Sequence, residues 1–247
     1  MLPIIQGLWI GAELSKMEQL CIKSFLFHGH EFHLYTYDQI KNIPEGTIIK
    51  DANEILPKSF VFQYNVGDAK GSFAGFSNYF RYKLLVEKGN FWVDMDTICL
   101  KPFDFKEEYV FSAELDQAGK EDVNGGMIMA PVNSPIFSYA FDICMSKDIK
   151  TLKFGETGPV LMRQLVDLFG LQKYAKSYKT FCPIHFNKLK YLIKPNNNID
   201  EIMASLIYES HAVHLWNEIW RRTNLDKNTS YPDTSIYQYL LNKHQVN

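Results

Sequence analysis

The sequence is poor in cysteine, nearly neutral, and without any long apolar run. Only four cysteines occur, Cys21, Cys99, Cys144 and Cys182. They show neither CxxC spacing nor the density of a disulfide scaffold, so they read as reduced, buried thiols of a cytosolic protein. The formal net charge of -2 offers no global attraction for nucleic acid, and an anionic ligand must be held locally. No stretch approaches the roughly 20 apolar residues of a membrane span. Residues 1–12 lack a basic leader and a long apolar core, which argues against secretion and for a cytoplasmic location. No internal repeat or low-complexity segment appears. What the chain does have is 46% hydrophobic and 15% aromatic residues in 247, enough for one sizeable α/β domain over 1–247.

The stretch from Ser72 to Phe105 organises the rest. Phe73, Phe76, Phe80 and Leu84 recur at helical spacing, while Ser77, Asn78 and Arg81 share a second, polar face. Gly89 suits a helix stop, and Phe91-Trp92-Val93 suits a strand buried on both sides. Asp94 and Asp96 follow where that strand should end. Ligands collect outside the carboxyl ends of strands in open α/β sheets. Two carboxylates one residue apart there can share a hard divalent cation and leave coordination sites for phosphate oxygens.

The run Phe76 to Leu85, with Gly89, Phe91 to Asp96 and Leu100-Lys101-Pro102, resembles the DXD region of glycosyltransferase family 32. That family holds capsular-polysaccharide and initiation-specific mannosyltransferases and is related to glucosylating toxin domains. The resemblance implies a GT-A fold, a single Rossmann-like nucleotide-sugar-binding domain with a mixed central sheet. It also implies a divalent metal on Asp94 and Asp96 and transfer with retention. The family usually has Ser-Asp where this chain has Ser77-Asn78, so the donor sugar cannot be carried over. Trp9-Ile10-Gly11 matches the family's opening Trp-x-Gly, which implies that Trp9 stacks on the nucleotide base. The segment from Ala212 to Arg222 resembles the family's late His-x-Trp element. It implies His214 as a metal ligand and groups Trp220 with the donor-binding residues, while His211 is expected to have no metal role.

The remaining chain reads as scaffold. A strand is expected over Pro3 to Ile10, a helix over Leu14 to Phe27 and a second strand over Glu31 to Tyr37, together a βαβ unit. Residues 42–70 read as connection with a short strand at Thr47 to Lys50, and Gly67 to Gly71 as a loop lacking P-loop spacing. Strands are expected at Tyr109 to Ala113 and Met127 to Ala130, flanking a loop from Asp116 to Asn124. Asn124-Gly125-Gly126 either borders the donor sugar, as in the family, or is a plain turn. Helices are expected over Ser134 to Met145, capped by Ser134, over Val160 to Phe169, with Thr157 either its cap or part of a Thr-Gly-Pro loop that in the family lies near the acceptor, and over Asp233 to Asn242. Glu156 is either near the acceptor or a solvated loop charge. His28, His30 and His33 read as ordinary histidines, and Arg221 and Arg222 as phosphate contacts or solvated charges.

The expected activity is metal-dependent, retaining transfer of a hexose from a nucleotide sugar, UDP-linked by preference, to a cell-surface glycan. Asp94, Asp96 and Arg81 carry the chemistry, Trp9, Asn78, Arg81, Asp94 and Trp220 hold the donor, and Asp94, Asp96 and His214 take the metal. Mixed oxygen and nitrogen ligation favours Mn2+, with Mg2+ the poorer fit. A lipid-linked acceptor implies peripheral membrane contact. Two alternatives stand beside this. Val93-Asp94-Met95-Asp96-Thr97 also satisfies the DxDxT pattern of haloacid-dehalogenase phosphatases, with Asp94 as nucleophile, and Asn78 leaves room for a non-catalytic sugar-nucleotide-binding module.

Overall fold

The computed structural model describes residues 2–246. β1 (Ile5–Trp9) and β2 (Phe32–Thr36) run parallel, joined by α1 (Lys16–Phe27). Ser15 starts α1 with a capping box to Glu18, and Gly29 leaves it at φ +81°. β3 (Ile48–Asp51) extends the parallel set beyond β2. α2 (Ala74–Lys88) then leads through Gly89, at φ +58°, into β4 (Asn90–Val93), parallel to β1 on its other side. A side chain at Gly89 would meet the Ala130 carbonyl and Val132 amide at 2.9 Å, so the stop needs glycine for space as well as for torsion.

β5 (Thr97–Cys99) leaves the sheet. β6 (Val110–Leu115) and β7 (Glu121–Ala130) form a hairpin, and β7 lies antiparallel to β4, giving the order β3-β2-β1-β4-β7-β6. The expected Asp116 to Asn124 loop is therefore shorter. β7 begins at Glu121, and the Asp116 carboxylate folds the turn by accepting the amides of Ala118 and Lys120. α3 (Pro135–Met145), α4 (Pro159–Leu168), α5 (Tyr178–Phe181), α6 (Lys190–Ile193) and α7 (Ile199–Glu209) follow. β8 (Ala212–His214) then pairs antiparallel with β5 and runs into α8 (Asn217–Arg222) and, later, α9 (Ile236–Lys243).

Two expected caps are not made. The Ser134 hydroxyl pairs with Tyr109 rather than capping α3, and Thr157 precedes the Gly158 that caps α4. Buried residues alternate across the sheet. Phe91, Val93 and Met127 face a core shared with α1, β5, β8 and α9, while Trp92 and Ile128 face one shared with α2, α3 and α4. All four cysteines are free and buried. No helix among the described residues is long and apolar enough to cross a membrane.

Candidate functional site

Asp94 sits one residue past β4 and its amide donates to the Gly126 carbonyl at 2.7 Å, which ties the acidic turn to β7. Its Oδ1 accepts from Arg81 Nη2 at 2.8 Å and from the Trp92 indole at 2.9 Å. Arg81, nearly buried on the polar face of α2, also donates through Nη1 to the Gly125 carbonyl. That contact explains Gly125, since a Cβ there would collide with the guanidinium.

Asp96 is brought to its partner by the β5–β8 ladder. Thr97 pairs with His214 in register, so Asp96, one residue earlier, lies beside an imidazole 118 positions away, Oδ1 to Nε2 at 3.1 Å. Trp216 then turns the chain in the left-handed region at φ +61°, a strained conformation for a bulky residue. The turn aims the Asn217 amide at Asp96 Oδ2, 2.6 Å away. The Trp216 indole bonds the Ile184 carbonyl at 2.8 Å, and its ring lies 4.2 Å from that of His214.

Electrostatics separates the two carboxylates. Burial raises the Asp94 pKa, against the pull of Arg81. Burial opposes ionisation of Asp96 as well, but the charge and hydrogen bond of His214 and the Asn217 amide outweigh it and hold the group low. His214 is the converse: burial disfavours its charge, yet Asp96 keeps its pKa well above the ordinary value.

One ligand atom from each of Asp94, Asp96 and His214 lies within 4.8 Å of the other two. This donor set fits a divalent cation. The half-buried Asp94 and the buried Asp96 face one imidazole whose charged form Asp96 favours, and a metal ion can take that proton's place. His214 Nδ1 is buried and makes no hydrogen bond of good geometry among the described residues, and the Cys182 thiol beside the ring helps to raise its pKa.

Two cavities meet at these residues and share Ala74, Arg81, Asp94, Asp96 and Glu218. One, about 280 Å³, is lined by Trp9, Ser77, Trp92 and Asn217. The other, about 370 Å³, is lined by Asn78, Glu114, Asn124, Gly126, His214 and Trp216. Trp9 is held at its edge, Nε1 to the Glu13 carbonyl at 2.9 Å. Asn78 donates to Thr157 Oγ1 at 3.2 Å, so Thr157 ties the loop before α4 to α2 instead of capping a helix.

Trp220 is not brought to the site. Its indole bonds the Leu215 carbonyl at 2.7 Å and its ring packs on Tyr237 with centroids 5.0 Å apart, because the apolar face of α8 turns it into the core. Glu156 pairs with Lys147 at 2.8 Å. Arg221 and Arg222 both pair with Glu218. Arg221 also donates to the Asp68 carbonyl at 3.0 Å, and Arg222 lies over the Phe154 ring at 4.4 Å. His30 is satisfied by the Pro3 carbonyl and the Phe103 amide, both at 2.9 Å, and the His211 ring packs on Phe105.

Glu114, Asn217 and Glu218 line the cavities without having been singled out in the sequence. Burial raises the Glu114 pKa, while His214 and the Asn124 amide pull it down. A lone glutamate at a strand end carries no spacing signal. Asn217, directly after Trp216, was the one within reach of a motif argument.

Residues 16–116 match the family model described as a glycosyltransferase sugar-binding region containing a DXD motif. The match runs from α1 into the turn after β6 and includes Asp94 and Asp96, and this stretch is that of a glycosyltransferase, an enzyme. No curated protein matches the chain. Among solved structures it is similar to the PaToxG glycosyltransferase, at 18% identity over 99% of this chain and 87% of that one, TM-score 0.48. It is also similar to the glycosyltransferase GlyE of Streptococcus pneumoniae TIGR4, at 12% identity over 99% of this chain and 64% of that one, TM-score 0.43.

Proposed function

We propose that residues 1–247 form one GT-A unit of family 32 that transfers a hexose, with retention, from a UDP-linked sugar to a cell-surface glycan. The observation that carries this reading is the convergence of Asp94, Asp96 and His214 where two cavities join. Those three residues would hold Mn2+, which when bound neutralises charge on a donor diphosphate. Arg81, held by Asp94 and the Gly125 carbonyl, adds a fixed positive charge at the same place. Trp9 stacks the base in the smaller cavity, and Asn78 meets sugar hydroxyls in the larger.

No protein nucleophile is assigned. The acceptor hydroxyl attacks on the face the diphosphate leaves, and its proton passes to the departing phosphate oxygen. A lipid-linked acceptor at the cytoplasmic membrane face suits a chain whose described helices do not cross a bilayer.

Thermal shift and turnover with UDP- and GDP-sugars, with and without Mn2+, test the reading. Stabilisation should need sugar nucleotide and metal together and follow ligand concentration. Hydrolysis of a simple phosphate ester without sugar transfer would instead make Asp94 a phosphoryl nucleophile, and binding without turnover would leave a binding module.

A further inference from the structure

We propose that Lys227 is a positioning residue that holds two ends of the donor site in register, Trp9 directly and Asp96 through Asn217. Lys227 lies between α8 and α9, outside the lining of either cavity. Its ammonium donates to Glu18 Oε1 at 2.5 Å and to Asn217 Oδ1 at 3.0 Å, and stands 5.3 Å from the centre of the Trp9 ring.

Each neighbour is itself fixed. Glu18 is fully buried in the first turn of α1, and its Oε2 accepts the Ser15 amide at 2.8 Å. Asn217 donates its amide to Asp96 Oδ2 at 2.6 Å. The Lys227 carbonyl accepts the Tyr237 hydroxyl at 2.7 Å, which roots the segment in α9. One cation therefore joins α1, the tryptophan at the end of β1 and the first residue of α8. A lysine serving only to neutralise Glu18 would need neither the asparagine nor the ring. With both, the face of Trp9 and the amide on Asp96 cannot shift independently, and Trp9, Asn217 and Asp96 all line the smaller cavity.

This rests on the donor-binding reading above, so the test includes a readout that needs no donor. Lys227→Met alone strands the buried Glu18 carboxylate and can unfold the chain. The informative variant is Glu18→Gln with Lys227→Met, which removes both charges, with Lys227→Arg as the conservative control.

In the double variant, melting should stay near wild type while the Asn217 amide exchanges hydrogen about tenfold faster in the absence of ligand. Mn2+ affinity should fall and donor KM rise, each by about tenfold, the scale of lost support behind a metal ligand. Lys227→Arg should recover much of both. Unchanged exchange at Asn217, or faster exchange with donor KM unmoved, overturns the proposal. Faster exchange in a protein whose wild type binds no UDP or GDP overturns the donor reading and leaves the tie between Lys227 and Asn217 standing.

Discussion

The two aspartates differ in what surrounds them, and so should their substitutions. Asp96 accepts from His214 and Asn217 and stays ionised, whereas Asp94 spends one oxygen on Arg81 and Trp92. Asp96→Ala should lower transfer by about a thousandfold or more, as loss of a principal electrostatic group does, with circular dichroism unchanged. A sugar-nucleotide assay checks this, and retained metal-dependent turnover would sink the assignment. The two tryptophans give a sharper contrast. Trp9→Ala should raise donor KM by about 10- to 100-fold, the equivalent of one lost stacking contact, at nearly constant stability. Trp220→Ala empties a core position and should cost about 3–5 kcal/mol in urea unfolding. If Trp220→Ala changed donor KM alone, its placement in the core would be wrong.

Adjacent glycines of β7 show how a strand sets the site's dimensions. A methyl on Gly125 collides with the Arg81 guanidinium, whereas one on Gly126 meets its nearest atom, Asn124 Oδ1, at an ordinary 3.5 Å. Gly125→Ala should therefore displace Arg81 and reduce kcat by about 10- to 100-fold, the loss expected when a supporting contact shifts. Gly126→Ala should fold normally and act only on the cradle, where Asp94 Oδ2 lies 3.6 Å from the added carbon. Steady-state kinetics beside thermal melts separate the two effects. Equal losses from both substitutions would show that the Arg81 contact does not control the rate. The β5–β8 ladder works at the same level, because its register alone carries His214 to Asp96.

Across the fold, acid stability should report the docking of the C-terminal helix on α1. Burial, with Lys243, His28 and Lys23 nearby, pushes the His244 pKa from 6.5 down to about 4. The Phe27 ring packs on His244 with centroids 5.3 Å apart. The unfolded chain binds this proton more readily than the folded one. The contribution of the neutral ring is thus intact above about pH 6.5 and lost as pH falls toward 4, by up to about 3 kcal/mol. His244→Gln should flatten that decline in urea unfolding measured at pH 7 and pH 5. An undiminished slope in the variant would move the effect to other groups.

Helical spacing along α2, the glycine after it and the apolar triplet before Asp94 were sufficient to read the central helix–strand unit and the acidic turn, because those signals are local. They are periods of side-chain burial and torsions one residue must adopt. The hairpin length of β6–β7 escaped, since the Asp116 turn is made by side-chain bonds that polar composition does not reveal. Trp220 was misplaced for a related reason: which face of a six-residue helix points inward depends on Tyr231 and Tyr237, which come later in the chain. The resemblance grouped His214 with Asp94 and Asp96, but the direct hydrogen bond from His214 to Asp96 and the reach of Lys227 to Glu18 are long-range contacts. Only strand register and packing, which no window of sequence contains, bring such groups within hydrogen-bond distance.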